Sequence, residues 1–339
     1  MKRFFSFLVV SAVLLLLASC NGNKQADDTE LKRATLKVEG TQLMNELGDT
    51  VQLKGVSLGW HIFWPRFYNK NTINTLVDDW HCTLIRAAMS VEPEGAYVDD
   101  SIWAKKCLYE VVDACIEKKT HVIIDWHSHG YREKEAKEFF AQMAQKYGDS
   151  PYVIYEIFNE PEVTTWDSVK SYCRNVIDTI RMYDKDNIIL VASPHWDQDV
   201  DIAADSPLEG YSNIMYSLHF YAGFHQKWHR GRADYALKKG LPIFVSECAS
   251  MTPFGTGDIN YVEFQKWLDW INENKLSWIA WSVAPKNETC SMIQPWGNTE
   301  GPWKEDELKE WGVMTRELLR GEYVYRDSVV RDTIVVECQ

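Results

Sequence analysis

The chain has 339 residues, 45% of them hydrophobic, and 49 acidic against 36 basic residues give a formal net charge of −13. This length fits one large domain or two ordinary ones. So acidic a chain repels phosphate backbones, which argues against a nucleic-acid partner, whereas a neutral ligand loses nothing in such a field.

The amino terminus has the organisation of an export signal. Two basic residues precede an apolar run over residues 4–17, which is too short to span a membrane as a stable anchor. The run ends in the sequence LASC at residues 17–20, which resembles the lipobox of bacterial lipoproteins. The resemblance implies a signal peptide over residues 1–19 and lipidation of Cys20. Acyl chains on Cys20 would tether the exported chain to a membrane without spanning it.

A polar segment, residues 20–34, begins at the proposed lipidation site and is predicted to be a flexible linker. Its acidic stretch at residues 25–28 resembles the signal that directs lipoproteins to the outer surface. The sequence therefore predicts a lipoprotein of the outer membrane or cell surface, with the periplasmic face as the alternative.

A β-hairpin and eight strands are predicted next. Short alternating segments between Leu36 and Leu53 are broken at residues 39–40 and 48–49, which is typical of a hairpin. Apolar runs then recur every thirty to forty residues, and near-continuous apolar strands are typical of a parallel sheet buried on both faces. The eight runs lie at residues 53–57, 83–88, 121–126, 153–158, 188–192, 214–220, 243–246 and 278–282.

Segments of helical periodicity separate these runs. Residues 132–147 place their apolar side chains on one face, and Gly148 is predicted to end that helix. Strands that alternate with helices predict parallel crossovers, and eight repeats favour a closed (β/α)8 barrel over an open sheet. No GxGxxG or Walker sequence follows any predicted strand, which argues against a nucleotide-binding sheet. We predict one barrel domain over residues 35–321 and a tail, residues 322–339, of unassigned role.

Polar or aromatic residues follow seven successive predicted strands, at the end of a β/α barrel where reacting groups stand. Packing alone rarely produces such a series. From the second strand to the eighth they are Arg86, Asp125-Trp126-His127, Asn159-Glu160, His195-Trp196, His219 with Tyr221, Glu247 and Trp281.

Two of these residues have the chemistry for cleaving a glycosidic bond. That reaction needs a carboxylic acid to protonate the leaving oxygen and a carboxylate on the other side of the anomeric carbon. Glu160 and Glu247 stand at the ends of the fourth and seventh strands, whose positions on opposite walls allow a separation of about 5 Å. When two carboxyl groups lie about 5 Å apart, their repulsion raises the pKa of one of them. Arg86 is expected to hold the other ionised.

The chain resembles family 5 glycoside hydrolases over roughly residues 36–319, and in particular their bacterial endoglucanases. The most specific matches are VIIDWH at residues 122–127, IYEIFNEP at 154–161 and FVSE at 244–247. The resemblance implies a retaining endo-β-1,4-glucanase that cleaves internal bonds of a glucan by double displacement and needs no cofactor. The alternatives are a hydrolase of mannan, xyloglucan or mixed-linkage glucan, and a catalytically silent lipoprotein that binds glycans.

Carried over by position, the resemblance makes Glu160 the acid/base and Glu247 the nucleophile. It implies that Asn159 bonds the 2-hydroxyl of the sugar being cleaved, and that Arg86 and Tyr221 orient Glu247. The other substrate-binding residues it implies are His127, His219, Trp281, Trp64, Lys286 and Glu288. Residues 59–68, which include Trp64, depart from the family pattern.

A metal-dependent hydrolase is the main alternative enzyme, because His127 and His129 form an HxH at a strand end. Zinc sites of this kind need further ligands on other strands, and the resemblance directs only His127 towards the site, so no metal is expected. None of the seven cysteines besides Cys20 forms a CxxC pair, and their pairing stays open. The expected partners are a β-glucan and, through the lipid, a membrane; the chain is expected to be a monomer.

Overall fold

The computed structural model of the chain describes residues 28–325. The predicted signal peptide, the lipidation site Cys20 and residues 326–339 of the predicted tail lie outside this range. Over residues 28–325, no helix combines the length and the apolar character needed to cross a membrane.

Eight parallel strands close into a barrel in chain order, and the last strand pairs with the first. They are β3 (Lys54–Leu58), β4 (Leu84–Ser90), β5 (His121–His127), β6 (Val153–Glu156), β7 (Ile189–Val191), β8 (Ile214–Tyr221), β9 (Ile243–Ala249) and β10 (Trp278–Val283). The predicted (β/α)8 barrel is confirmed. The apolar runs located every strand because each strand contacts side chains on both of its faces.

A helix follows each barrel strand. The helices are α1 (Lys70–Asp78), α2 (Ser101–Glu117), α3 (Glu133–Tyr147), α4 (Trp166–Arg181), α5 (Val200–Asp205), α6 (Lys227–Lys238), α7 (Tyr261–Glu273) and α8 (Glu310–Arg320). Several begin at side-chain caps; the Asn69 oxygen accepts from the Thr72 N–H, and the Asp100 carboxylate accepts from the Trp103 N–H. Gly148 ends α3 as predicted, but with φ −61° its role is steric: a Cβ there would lie 2.5 Å from the Ala144 oxygen.

The predicted hairpin, β1 (Leu36–Glu39) and β2 (Gln42–Asn45), pairs antiparallel and covers the amino-terminal end of the barrel. Its Leu36 and Leu43 pack in an aliphatic cluster with residues near the amino-terminal ends of the barrel strands, among them Leu84 and Ile123. This apolar layer closes the lower barrel, so polar side chains are left to the carboxyl ends of the strands.

The segment that precedes the hairpin is more ordered than predicted. Residues 28–34, assigned above to a flexible linker, are helical. This helix contacts the folded domain through both a side chain and the backbone: Glu30 forms an ion pair with Lys119 at 2.6 Å, and the Ala34 carbonyl lies 3.0 Å from the His121 ring nitrogen. At the other end, residues 322–325 form no strand.

Six cysteines lie within the described residues, and all six are buried and unpaired. They are Cys82, Cys107, Cys115, Cys173, Cys248 and Cys290. Burial raises the pKa of the Cys290 thiol to about 12, so this thiol behaves as a small hydrophobic group.

Candidate active site

The candidate site is a cleft at the carboxyl ends of the barrel strands. Glu247 lies on β9, whereas Glu160 lies in the loop after β6, which ends at Glu156, two residues earlier than the predicted run. Backbone bonds fix that loop to the end of β5, because the Asn159 N–H donates to Trp126 and the Glu160 N–H to Ser128, both at 3.2 Å. Other lining residues include Gly59, Trp60, Phe63, Trp64, His127, His129, Tyr221, Trp281, Lys286, Glu288 and Cys290.

The two predicted catalytic carboxyl groups converge. One oxygen of Glu160, one oxygen of Glu247 and one nitrogen of His219 all lie within 4.8 Å of one another. Glu247 is 4% exposed, and the Glu160 side chain is 17% exposed and borders the open cleft. So close an approach of two carboxyl oxygens fits the short carboxyl separation of retaining glycosidases, roughly 5–5.5 Å, better than the roughly 6.5–9.5 Å of inverting ones.

Arg86 is the centre of a buried polar network beneath the pair. Its guanidinium donates to Glu247 at 2.9 Å, to Glu156 at 2.6 Å and to the Asn159 side-chain oxygen at 2.6 Å. Asp125 lies 3.0 Å from it as well. Because guanidinium donors project in a fixed fork, one fully buried arginine sets the orientation of all four acceptors.

The surroundings of Glu247 raise its pKa, whereas the sequence led us to expect a lowered pKa. Burial raises its pKa, the charge of His219 opposes the rise, and the proximity of Glu160 adds to it. Arg86 and the Tyr221 hydroxyl, which donates to Glu247 at 2.6 Å, favour the ionised form. Arg86 was expected to hold the carboxylate ionised; it instead limits an upward shift in pKa that burial dominates.

His219 bridges Glu160 to the barrel interior. Its Nδ1 lies 2.9 Å from Glu160, and its Nε2 lies 3.0 Å from the Ser246 hydroxyl. Burial lowers the pKa of His219, but the charge of Asp197, the nearby Glu156 carboxylate and the hydrogen bond to Glu160 outweigh it and raise the pKa well above the ordinary value. Both ring nitrogens of His219 thus have hydrogen-bond partners within the polar network of the site.

The two histidines of the HxH sequence have different contacts. His127 stacks on Trp281 with ring centroids 5.4 Å apart and meets Asp125 at 2.7 Å, and burial lowers the pKa of His127 well below its ordinary value. His129 was expected to face away, yet it lines the cleft with its Nδ1 3.8 Å from Glu160. Across residues 28–325, the group of side chains spaced for a shared metal ion contains neither histidine.

One wall of the cleft holds the predicted neighbouring-sugar residues. Trp64, Lys286 and Glu288 line it, and Lys286 forms an ion pair with Glu288. Sequence reasoning missed Trp60 and Phe63, which line the same cleft and whose rings stack with centroids 5.6 Å apart. They lie in the stretch that departs from the family pattern, and its aromatic content was the available signal.

The cleft continues past Glu160 into a second cavity. Trp196 and Phe254 line this extension, and they are 37% and 85% exposed. His195, also expected at the site, lines neither cavity and pairs with Asp199. Sequence reasoning missed the buried acids Glu156 and Asp197. Their neighbours in the sequence do not show which distant side chains they contact in the fold.

A protein-family model described as Cellulase (glycosyl hydrolase family 5) matches residues 44–287. An endoglucanase of Clostridium saccharobutylicum is 38% identical, with 94% of this chain and 73% of the relative covered. Endoglucanase A of Evansella cellulosilytica is 43% identical, with coverage of 80% and 57%, so the chain spans little more than half of that relative. A solved structure from Cytophaga hutchinsonii superposes with a TM-score of 0.84 at 40% identity and covers 86% of this chain and 96% of its own.

Proposed function

The chain belongs to glycosyl hydrolase family 5, the cellulase family, and from that premise we propose that it is a retaining endo-β-1,4-glucanase. The observation that carries the proposal is the convergence of the Glu160 and Glu247 carboxyl groups in one open cleft. The names of the relatives, which are endoglucanases, support a β-glucan as the substrate.

In the first step, an oxygen of Glu247 attacks the anomeric carbon and the bond to the departing chain breaks. Glu160 gives its proton to the leaving oxygen, so the products are a glycosyl ester on Glu247 and a free chain end. In the second step, Glu160 takes a proton from water, the water oxygen attacks the anomeric carbon, and Glu247 leaves as a carboxylate. Two inversions give net retention of configuration.

The neighbours of Glu247 fit this sequence. Tyr221 and Arg86 donate to its two oxygens, which positions the attacking carboxylate and stabilises it when it leaves the ester. The Nδ1 of His219 lies 2.9 Å from Glu160, and when it carries a proton it donates to Glu160 and favours the carboxylate that forms there as the proton departs. In the first step the negative charge thus moves from Glu247 to Glu160, and hydrogen-bond donors are in place at both carboxyl groups.

The remaining cleft residues bind the sugars. The Asn159 oxygen accepts from Arg86, which leaves its amide N–H groups to donate to the 2-hydroxyl of the reacting sugar. Trp281, backed by His127, forms the floor beneath that sugar, and Trp64 and the Lys286–Glu288 pair bind the next one. Hydrogen bonds that tighten at the 2-hydroxyl in the transition state contribute several kcal/mol in such enzymes.

A panel of soluble polysaccharides tests the function. Carboxymethyl cellulose should be cut fastest, and its viscosity should fall sooner than reducing ends accumulate, because internal cleavage shortens chains before it releases sugars. Faster cleavage of mannan, xyloglucan or mixed-linkage glucan would replace the substrate assignment. Binding of a glycan without any cleavage would favour the alternative of a catalytically silent glycan-binding protein.

We propose in addition that Cys20 is lipidated and anchors a monomeric enzyme to the outer membrane or cell surface. The support is the LASC sequence and the basic, apolar leader before it. In a bacterial host, the chain should fractionate with membranes, and the Cys20→Ser variant should be released. Membrane association unchanged in that variant would contradict the lipid anchor, and gel filtration of the released form tests the monomer.

A further inference from the structure

Asp197 is a fully buried acid that the mechanism above does not use. One carboxylate oxygen, Oδ1, accepts from the Ser193 N–H at 2.5 Å. The other, Oδ2, has no hydrogen-bond partner among residues 28–325 and lies 3.6 Å from Nε2 of His219. A buried carboxylate oxygen left without a donor is costly, so its position calls for a physical reason.

The backbone around Asp197 is held in a conformation that side chains rarely adopt. His195, Trp196 and Asp197 have φ values of 55°, 56° and 57°, three successive left-handed residues in the turn Pro194–Asp197. The Trp196 N–H donates at 2.7 Å to the carbonyl of Pro161, the residue after Glu160. This turn leaves the Trp196 side chain at the cavity and places the Asp197 side chain in the interior, and such strain persists where the surroundings enforce it.

His219 lies at the centre of a set of charged groups. Its Nδ1 faces Glu160, and its Nε2 faces the Ser246 oxygen, Asp197 and, at 3.8 Å, Glu156. The titratable groups around it are Glu156 on β6, Glu160 after β6, Asp197 after β7, His225 after β8, Glu247 on β9 and, further off, Asp125, His127 and Arg86. The Ser246 hydroxyl can donate or accept, but the carboxylates of Asp197 and Glu156 near Nε2 only accept, so their two negative charges favour a proton on Nε2 as well as on Nδ1.

We propose that Asp197 is a positioning residue for the acid/base: its carboxylate holds His219 in the doubly protonated form, so that the Nδ1–H always donates to Glu160. The inference rests on the proposed role of Glu160. In this arrangement the charge of Asp197 balances that of His219, and the hydrogen bond to Glu160 keeps its direction whether Glu160 is acid or carboxylate. A singly protonated ring could instead place its proton on Nε2 and lose that donor.

The unpaired oxygen supports the charged form of Asp197. Burial raises the pKa of Asp197 well above its ordinary value, and the charge of His219 and the Ser193 N–H offset only part of that rise. A proton on Oδ2 would have no acceptor within hydrogen-bond distance among the described residues, whereas a carboxylate there faces the imidazolium. The position of Oδ2 towards His219 is thus what favours an ion pair over the neutral acid that burial alone would give.

The test is a pH titration of the histidine ring nitrogens by NMR in the full chain labelled with ¹⁵N-histidine. The His219 signals are assigned by their loss in a His219→Asn variant. In the wild type, both nitrogens should carry protons at pH 7. In Asp197→Asn, the pH at which His219 loses its second proton should fall by about 1–3 units, the usual effect of removing a nearby opposite charge.

Activity gives a second readout of the same variant. Where His219 has lost its charge, Glu160 lacks a partner that favours its carboxylate and keeps its proton to higher pH. The alkaline limb of kcat/KM on carboxymethyl cellulose should therefore move to higher pH in Asp197→Asn. A merely structural role of Asp197 would lower activity at every pH without moving the limb.

Asp199→Asn is the matched control. Asp199 lies two residues away, is nearly as buried and pairs with His195 and Arg232 instead of His219, so the titration and the limb should not move. A singly protonated His219 in the wild type at pH 7 would overturn the proposal without any variant. So would an unchanged His219 titration in Asp197→Asn, or in Asp197→Ser if the first variant does not fold. Because the titration needs no substrate, failure of the proposed hydrolysis would be seen separately.

Discussion

Glu247→Gln should lower kcat on β-glucan by at least about four orders of magnitude, the scale of losing a covalent nucleophile. The amide has the same shape and can still contact Arg86 and Tyr221, but it cannot form the glycosyl ester. Initial rates on carboxymethyl cellulose, measured with enzyme free of wild-type contamination, give the result.

The same variant should keep its fold. Glu247 is one of three carboxylates, with Asp125 and Glu156, within 3.0 Å of the buried Arg86 guanidinium. Removing one negative charge from this group leaves the arginine paired and reduces repulsion, so the melting temperature should stay the same or rise. Activity within tenfold of the wild type in a folded Glu247→Gln variant would rule out the nucleophile assignment.

Glu160→Ala should lower kcat on β-glucan by about 10²–10⁴-fold, the usual contribution of a general acid. The loss should depend on the leaving group. A 2,4-dinitrophenyl cellobioside needs no proton to depart, so its first step should stay fast while the second step, which needs Glu160 as base, becomes slow. A rapid burst of one dinitrophenolate per enzyme, followed by slow turnover, is the expected trace.

Glu162→Gln is the control for that experiment. Glu162 lies two residues further along the same loop and is exposed, so its loss should leave both substrates unaffected. Equal losses on the aryl substrate and on β-glucan in Glu160→Ala, with no burst, would mean that Glu160 does not transfer the proton.

The sequence predicted the barrel because its signal is local. Each buried parallel strand requires an apolar run, and each crossover requires a helical period, so the order of elements can be read without knowing any long-range contact. The exact ends could not be read in this way. The fourth run continues as Ile157 and Phe158, but the strand stops at Glu156 because the following loop bonds to the end of β5.

The site was predictable where chemistry alone selects a residue. The convergence of Glu160 and Glu247 could be predicted because glycosidic cleavage needs two carboxyl groups and the strand order places these two at one mouth of the barrel. Glu156 and Asp197 could not be found, because a buried acid differs from a solvated one only by its partners, Arg86 and His219. Those partners come from other strands, so only the folded barrel reveals the network.

Covalent trapping tests most directly whether Glu160 and Glu247 act on the same bond from opposite sides. The wild-type enzyme is incubated with 2-deoxy-2-fluoro-β-cellobiosyl fluoride, whose first step is fast and second step slow, and is then mapped by peptide mass spectrometry. We predict one cellobiosyl group per chain, attached to Glu247. Attachment to any other residue, or hydrolysis of a natural cello-oligosaccharide that first yields the α-anomer and leaves no adduct, would contradict the double displacement.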